Sequence, residues 1–302
     1  MSVLVYGTLA LDTIETPEAR VDAAVGGSGS FAVVAASFFA PAQLVSVVGE
    51  DFPEAELKFF RSRGIDLAGV QRRPGKTFHW ACKYLPGLNE RQTLCTDLNV
   101  AADYQPQVPE SFRRPEVVFL ANDHPRLQKQ VLGQIGKAGL VICDTMNFWI
   151  NSAREELLSL LPQVDLLMLN DEEARLLSGE SALLAAGRKI LTLGPRAVVV
   201  KKGEHGAFWL DQNRIFLAPA FPLERIKDPT GAGDTFAGAL AGFLTRSGGS
   251  ELRDQCLRQG LLHASVLASF TVEEFSFDRL RRLSGKEIEE RVQRLREMVN
   301  FD

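Results

Sequence analysis

Short apolar runs recur along this chain, and a stretch of helical period follows each one. Val3 to Tyr6, Leu44 to Val48, Val117 to Leu120, Leu140 to Cys143, Leu166 to Leu169 and Ala197 to Val200 read as buried strands. Residues 53–63, 125–138, 152–161, 171–177 and 181–191 carry apolar residues at helical spacing. Such alternation specifies a mainly parallel sheet covered on both faces, an α/β fold. Ligands of open sheets of this kind bind beyond the carboxyl ends of the strands. The polar residues just past those ends, Asp12, Asn122, Asp144, Asn170 and Lys202, are therefore candidates for a site. A length of 302 residues suits a single domain, 1–302.

Two regions break the rhythm. Residues 12–25 and about 75–100 mix polar, β-branched and aromatic residues and read as hairpin strands outside the main sheet, a small β lid. From residue 229 onward the chain reads mostly as helix. Its last segment, 286–299, puts Ile288, Val292, Leu295 and Val299 on one face, as a surface helix docked on the core would.

Composition narrows the function classes. A net charge of −4 points away from a nucleic-acid partner. The chain holds no long uncharged apolar run, so no membrane span is expected, and the opening Met1-Ser2-Val3-Leu4-Val5-Tyr6-Gly7 lacks the basic start of a signal peptide. Cys82, Cys95, Cys143 and Cys256 are scattered without CxxC spacing, which fits reduced thiols in a cytoplasmic protein.

The richest segment is Asp228-Pro229-Thr230-Gly231-Ala232-Gly233-Asp234-Thr235-Phe236-Ala237-Gly238-Ala239-Leu240. Gly231 and Gly233 permit a backbone that a Cβ would forbid, and a helix of small residues follows. The first amides of a helix lack carbonyl partners and can point at an anion. Asp234 falls in that first turn, where the helix dipole stabilises a carboxylate by roughly 0.3–1 kcal/mol and favours its ionised form. A carboxylate beside an anion hole can take a proton from an attacking hydroxyl while amides hold phosphate charge. A helix cap after a tight glycine turn is equally compatible with the spacing, and the P-loop pattern G-x-x-x-x-G-K-[ST] is absent.

The run DPTGAGDTFAGAL closely resembles the C-terminal signature of the ribokinase-like, or PfkB-type, carbohydrate kinase family. The resemblance implies a three-layer α/β/α ribokinase-like fold with a small β lid. It also implies an anion hole at Gly231, Ala232 and Gly233, and a catalytic base at Asp234. Gly7-Thr8-Leu9-Ala10-Leu11-Asp12 is similar to the family's first strand and turn, which makes Asp12 a ligand of acceptor hydroxyls; a carboxylate can accept from two vicinal hydroxyls at once. Gly26-Gly27-Ser28-Gly29-Ser30 resembles the double-glycine motif that packs against the substrate. Phe31 stands where several members have an acceptor-binding asparagine, and this departure points to a bulkier or more apolar acceptor than a simple pentose.

Leu169-Asn170-Asp171-Glu172-Glu173 matches the family's N-x-x-E motif, which implies phosphate and magnesium roles for Asn170 and Glu173; an Asn cap with an acidic first turn gives the same pattern. Lys201-Lys202-Gly203-Glu204-His205-Gly206-Ala207 resembles the turn along the nucleotide, with Gly203 and Gly206 for close approach and Lys202 for a phosphate. Thr230 joins this nucleotide-binding set. Asp144-Thr145-Met146-Asn147 resembles a segment near the phosphates. Cys256, His263 and Ser265 fall where members place adenine, although His263 also reads as a core histidine. Lys76, Phe78, His79 and Trp80 of the lid are placed to cover the acceptor.

The implied activity is ATP-dependent phosphorylation of a hydroxyl on a sugar or nucleoside, with Mg²⁺, a monovalent-cation requirement left open, and a homodimer through the lid compatible with the family. Two other classes stay in view. One is a non-catalytic ligand-binding protein on the same fold. The other is an NAD-dependent oxidoreductase, because Gly27-x-Gly29-x-x-Ala32 with Glu50 and Asp51 about 20 residues on fits a dinucleotide fingerprint. The polar, proline-bearing segment Thr16 to Asp22 before it argues against the latter.

Overall fold

A computed structural model describes residues 1–88, 90–248 and 252–300, so residue 89, within the second lid stretch, lies outside the described residues. Its strands are β1 (Val3–Tyr6), β2 (Ala10–Glu15), β3 (Arg20–Gly26), β4 (Ala42–Val48), β5 (Ile65–Arg72), β6 (His79–Tyr84), β7 (Arg91–Asp97), β8 (Val117–Leu120), β9 (Leu140–Asp144), β10 (Leu166–Asn170), β11 (Ala197–Lys201), β12 (Ala207–Leu210) and β13 (Ile215–Ala218). The helices are α1 (Ser28–Ala36), α2 (Glu54–Ser62), α3 (Pro125–Leu132), α4 (Asn147–Ser152), α5 (Arg154–Leu160), α6 (Asp171–Ser178), α7 (Leu183–Leu191), α8 (Ala232–Arg246), α9 (Asp254–Thr271), α10 (Asp278–Arg282) and α11 (Gly285–Val299).

Nine strands form the main sheet in the order β13-β12-β11-β10-β9-β8-β1-β4-β5. The pairs from β5 to β11 are parallel, and β11–β12 and β12–β13 are antiparallel. Side chains alternate across each strand and fill two cores. Val3, Val5, Val117 and Phe119 face the layer that contains α1, α8, α9 and α11. Leu4, Tyr6, Val118 and Leu120 face the layer of α3, α5, α6 and α7. Strands buried on both faces are apolar throughout, which is why they stand out in the sequence. Strand β5 escapes that pattern because it is an edge strand on which only Ile65 and Gly69 are buried. Helix α3 stops at Leu132, short of the 138 expected, where Gly133 and Gly136 follow.

Strands β3-β2-β6-β7 make the second sheet. Its inner face, with Ile14, Cys82 and Tyr84, packs near Trp80, Leu88 and Phe275. Among the described residues no helix is long and apolar enough to cross a membrane.

Helices α1 and α8 approach closely because both are built from small residues. A Cβ added at Gly238 would stand 2.1 Å from the Ala32 carbonyl oxygen, and one at Gly242, a turn later, 2.5 Å from that of Ala36. We therefore expect Gly238→Ala to push the helices apart at a cost of about 1–3 kcal/mol, the usual penalty for overpacking. Urea denaturation checks this; an unchanged midpoint would show that the glycine does not set the spacing.

Candidate active site

The carboxyl ends of β9, β10 and β11 and the start of α8 meet at one place. Asp228, fully buried, accepts a hydrogen bond on Oδ1 from the Thr230 amide at 2.9 Å. The turn then passes through Gly231 with φ 76°, a left-handed conformation that opens α8. A Cβ at Gly231 would also lie 2.4 Å from the ring of Phe31. Phe31 is 1% exposed and meets Phe277 edge-on with centroids 5.9 Å apart. It therefore braces the glycine turn from behind, and the structure shows no free ring face for an acceptor. Ala232, Gly233 and Asp234 form the first turn of α8.

Around that turn lies a buried charge cluster. Lys201, the last residue of β11, places Nζ 2.6 Å from Asp144 Oδ2 at the end of β9. The same Nζ would stand 3.4 Å from a Cβ on Gly233. Burial disfavours the ammonium charge, but Asp144, Glu173 and Asp234 outweigh it and hold the Lys201 pKa above the ordinary lysine value. Three carboxylates surround this ammonium, so negative charge is in excess. Desolvation, opposed in part by Lys201, raises Glu173 to about 7. Asp234 is also pushed up to about 7, by desolvation first and repulsion from Asp144 second, against the pull of Lys201 and Arg91. The sequence-based expectation that the helix dipole keeps Asp234 ionised thus fails, because loss of water outweighs a dipole contribution of under about 1 kcal/mol.

Glu173 and Asn170 form a reciprocal cap on α6: Asn170 Oδ1 accepts from the Glu173 amide at 2.8 Å, and Glu173 Oε2 from the Asn170 amide at 2.7 Å. An excess of hard carboxylate oxygens in one pocket is a donor set that suits magnesium, and Glu173 is the carboxylate that the N-x-x-E spacing puts forward.

Facing this cluster is Asp12, 2% exposed on the inner side of β2. Burial raises its pKa to about 7, opposed by hydrogen bonds from the Gly27 and Trp80 amides. Its Oδ1 has no partner. A Cβ at Gly26 would lie 1.8 Å from Asp12 Oδ2, so the double glycine makes room for this carboxylate. Gly27 precedes α1. The lid reaches the anion turn directly, with Tyr84 Oη 3.0 Å from Thr230 Oγ1. Arg91, paired with Tyr84 across β6–β7, brings a positive charge to bear on both Asp234 and Glu173.

Lys201 and Arg91 are the two charges that sequence reasoning missed. Lys201 shares strand parity with Ala197 and Val199, which face the α8 layer, and that period-2 signal would have favoured it over its neighbour. Lys202 instead begins the turn after β11, where its amide donates to the Gly206 carbonyl at 2.7 Å, with Gly203 in the intervening 3₁₀ turn. His263 is a core histidine, 4% exposed between Phe39 and Phe243. Ser265 donates to the Pro219 carbonyl at 2.7 Å, and Cys256 is partly buried. His79 turns to the outer face of the lid, where Thr13 meets it. The strand before Gly27-x-Gly29 is β3, antiparallel to β2 in the lid and buried only at Val25 and Gly26, which is the wrong context for a dinucleotide fingerprint.

The family model for pfkB family carbohydrate kinases matches residues 2–277. The cytidine kinase of Thermococcus kodakarensis is 30% identical over 272 residues, 87% of this chain and 95% of that protein. In three dimensions the chain is similar to the nucleoside kinase of Methanocaldococcus jannaschii, an archaeal member of the ribokinase family, with TM-score 0.77 and 18% identity over 97% of this chain and 98% of the other. A putative ribokinase II from E. coli in complex with ATP and Mg²⁺ gives TM-score 0.77 and 21% identity over 97% and 99%.

Removal of the ammonium would leave Asp144 buried and unpaired. We expect Lys201→Met to lower stability by about 3–5 kcal/mol, the range for breaking a buried ion pair, and to lower turnover as well. A loss under about 1 kcal/mol in chemical denaturation would show that Lys201 does not balance this cluster.

Proposed function

The chain belongs to the pfkB family of carbohydrate kinases, and from that premise we propose that it transfers the γ-phosphoryl group of ATP to a hydroxyl of a pyrimidine nucleoside such as cytidine, with Asp234 as the base. It is an ATP-dependent kinase of a sugar or nucleoside hydroxyl. The observation that carries the assignment of roles is Asp234 in the first turn of α8, tuned to about 7 and set beside Lys201.

Asp12, with one oxygen unpartnered, accepts hydrogen bonds from acceptor hydroxyls beside Gly26 and Gly27. Asp234 takes the proton from the attacking hydroxyl as its oxygen bonds to the γ-phosphorus and the bond to ADP breaks. Amides of Gly231, Ala232 and Gly233 hold the developing charge, that of Ala232 by exchanging its 3.3 Å bond to the Pro229 carbonyl, and the positive charge of Arg91 assists. Asn170, Lys202, Gly203, Gly206 and Thr230 flank the phosphates and the nucleotide. Glu173 would hold magnesium, which would supply positive charge against the phosphates when bound. The nucleoside choice is supported by the cytidine kinase at 30% identity across nearly its full length. A cytoplasmic location joins the proposal, supported by four free cysteines; cell fractionation checks it.

A base with pKa about 7 in the free enzyme is inactive when protonated. On that account kcat/KM rises as pH increases through about 7, and Asp234→Asn lowers kcat by roughly 10²–10⁴-fold while ATP still binds. Near-full turnover in that variant would remove Asp234 from the role, whereas no ATP consumption by the parent protein with any acceptor would favour a non-catalytic binder. To identify the acceptor, ATP consumption is measured with cytidine, uridine, inosine, ribose and deoxyribose, and the products are weighed by mass spectrometry. Cytidine or uridine should give the highest kcat/KM; a preference for a free sugar would overturn the nucleoside assignment.

A further inference from the structure

The outer face of the lid carries a second cluster of side chains, turned away from the phosphate site. His79 on β6 is directly opposite Asp97 on β7, and Ala81 is opposite Cys95. Between Ala81 and Cys82 the register slips, because Cys82 pairs with Thr93 and leaves Leu94 as an extra residue. This bulge changes which face β7 presents. Arg91 pairs with Tyr84, and Thr93 accepts from the Trp80 indole, both on the inner side. After the bulge Cys95 and Asp97 point outward beside His79. One ligand atom from each of His79, Cys95 and Asp97 falls within 4.8 Å of the other two.

Both ring nitrogens of His79 have polar partners. Thr13 Oγ1 is 3.2 Å from His79 Nε2, and the Thr13 hydroxyl also bonds to Asp22. A carboxylate only accepts, so a Thr13 hydroxyl that donates to Asp22 is free to accept from Nε2–H. The other ring nitrogen, Nδ1, faces Asp97 Oδ2 at 3.3 Å. Nδ1 and the Asp97 carboxylate thus converge at a separation that a shared proton or a metal ion can bridge. Cys95 supplies the third donor, with its thiol bonded to Asp97, which holds its pKa up and keeps it protonated until something displaces the proton.

We propose that this outer lid face binds one thiophilic divalent cation, zinc being the chemistry that fits, through His79 Nδ1, Cys95 Sγ and a carboxylate oxygen of Asp97, with a fourth position open to solvent. Imidazole and thiolate select zinc over magnesium and calcium, and three protein ligands plus an open position is an established zinc arrangement. Thr13 is the outer partner that orients the imidazole. Binding involves no redox change: the Cys95 thiol proton, and a proton on Nδ1 where the ring carries one, pass to solvent as the metal bonds form. The ion would tie β6 to β7, the two strands whose far ends carry Tyr84 and Arg91 over the phosphate site.

The test uses untagged full-length protein stripped with chelator and titrated with cobalt(II), then zinc. A thiolate-to-cobalt charge-transfer band should saturate at one equivalent, bleach on zinc addition, and be accompanied by proton release. Cys95→Ser and His79→Ala should each abolish the band, and Thr13→Val should weaken binding several-fold. Cys256→Ser should retain the band; Cys82 and Cys143 are buried. Kinase turnover without added zinc, unchanged in Cys95→Ser, confirms that this variant is folded. Absence of the band in the parent protein, or its survival in Cys95→Ser, overturns the proposal.

Discussion

One ammonium group holds the candidate active site together. Lys201 lies among Asp144, Glu173 and Asp234, and without it three carboxylates would share a desolvated pocket. The balance is incomplete: burial raises all three acidic groups, Glu173 and Asp234 to about 7, and Lys201, with Arg91 acting on those two, only partly offsets it. A pocket with that deficit attracts further cations and responds to them. It also places the proposed base where proton transfer at neutral pH is efficient.

That cluster depends on packing well away from it. Asp144, Asn170 and Lys201 end three adjacent parallel strands, so the sheet alone fixes their spacing. Asp234 is brought to them by α8, whose glycines let it press against α1. Phe31, the residue that departs from the family pattern, is part of this mechanical frame. Its ring fills the space behind Gly231, where any Cβ would collide with it. The bulky side chain and the bare glycine are therefore complementary, and the departure says more about how the turn is braced than about acceptor size.

The lid has two chemically different faces. The inner one is apolar around Ile14, Cys82 and Tyr84, and it supplies Asp12 and Arg91 to the site. The outer one is polar, with Glu15–Lys83, Thr13–His79 and His79–Asp97 contacts. A strand whose side chains alternate can serve both faces at once, and one bulge in β7 decides which residues serve which.

The fold class and the glycine-rich turn were legible in the sequence because both are written locally. Doubly buried strands must be apolar at every position, as Val3–Tyr6 and Val117–Leu120 are, and a left-handed turn into a helix calls for glycine at Gly231. Asp12, Asn170 and Glu173 could be named from their motifs for the same reason. What the tertiary structure alone decided was which of two adjacent lysines turns inward, how far Asp234 is raised by lost water, and that Phe31 supports a turn. The bulge that gathers His79, Cys95 and Asp97 was equally invisible. Each of these depends on strand register or on desolvation by residues far away in sequence, and neither leaves a pattern in neighbouring letters of the chain.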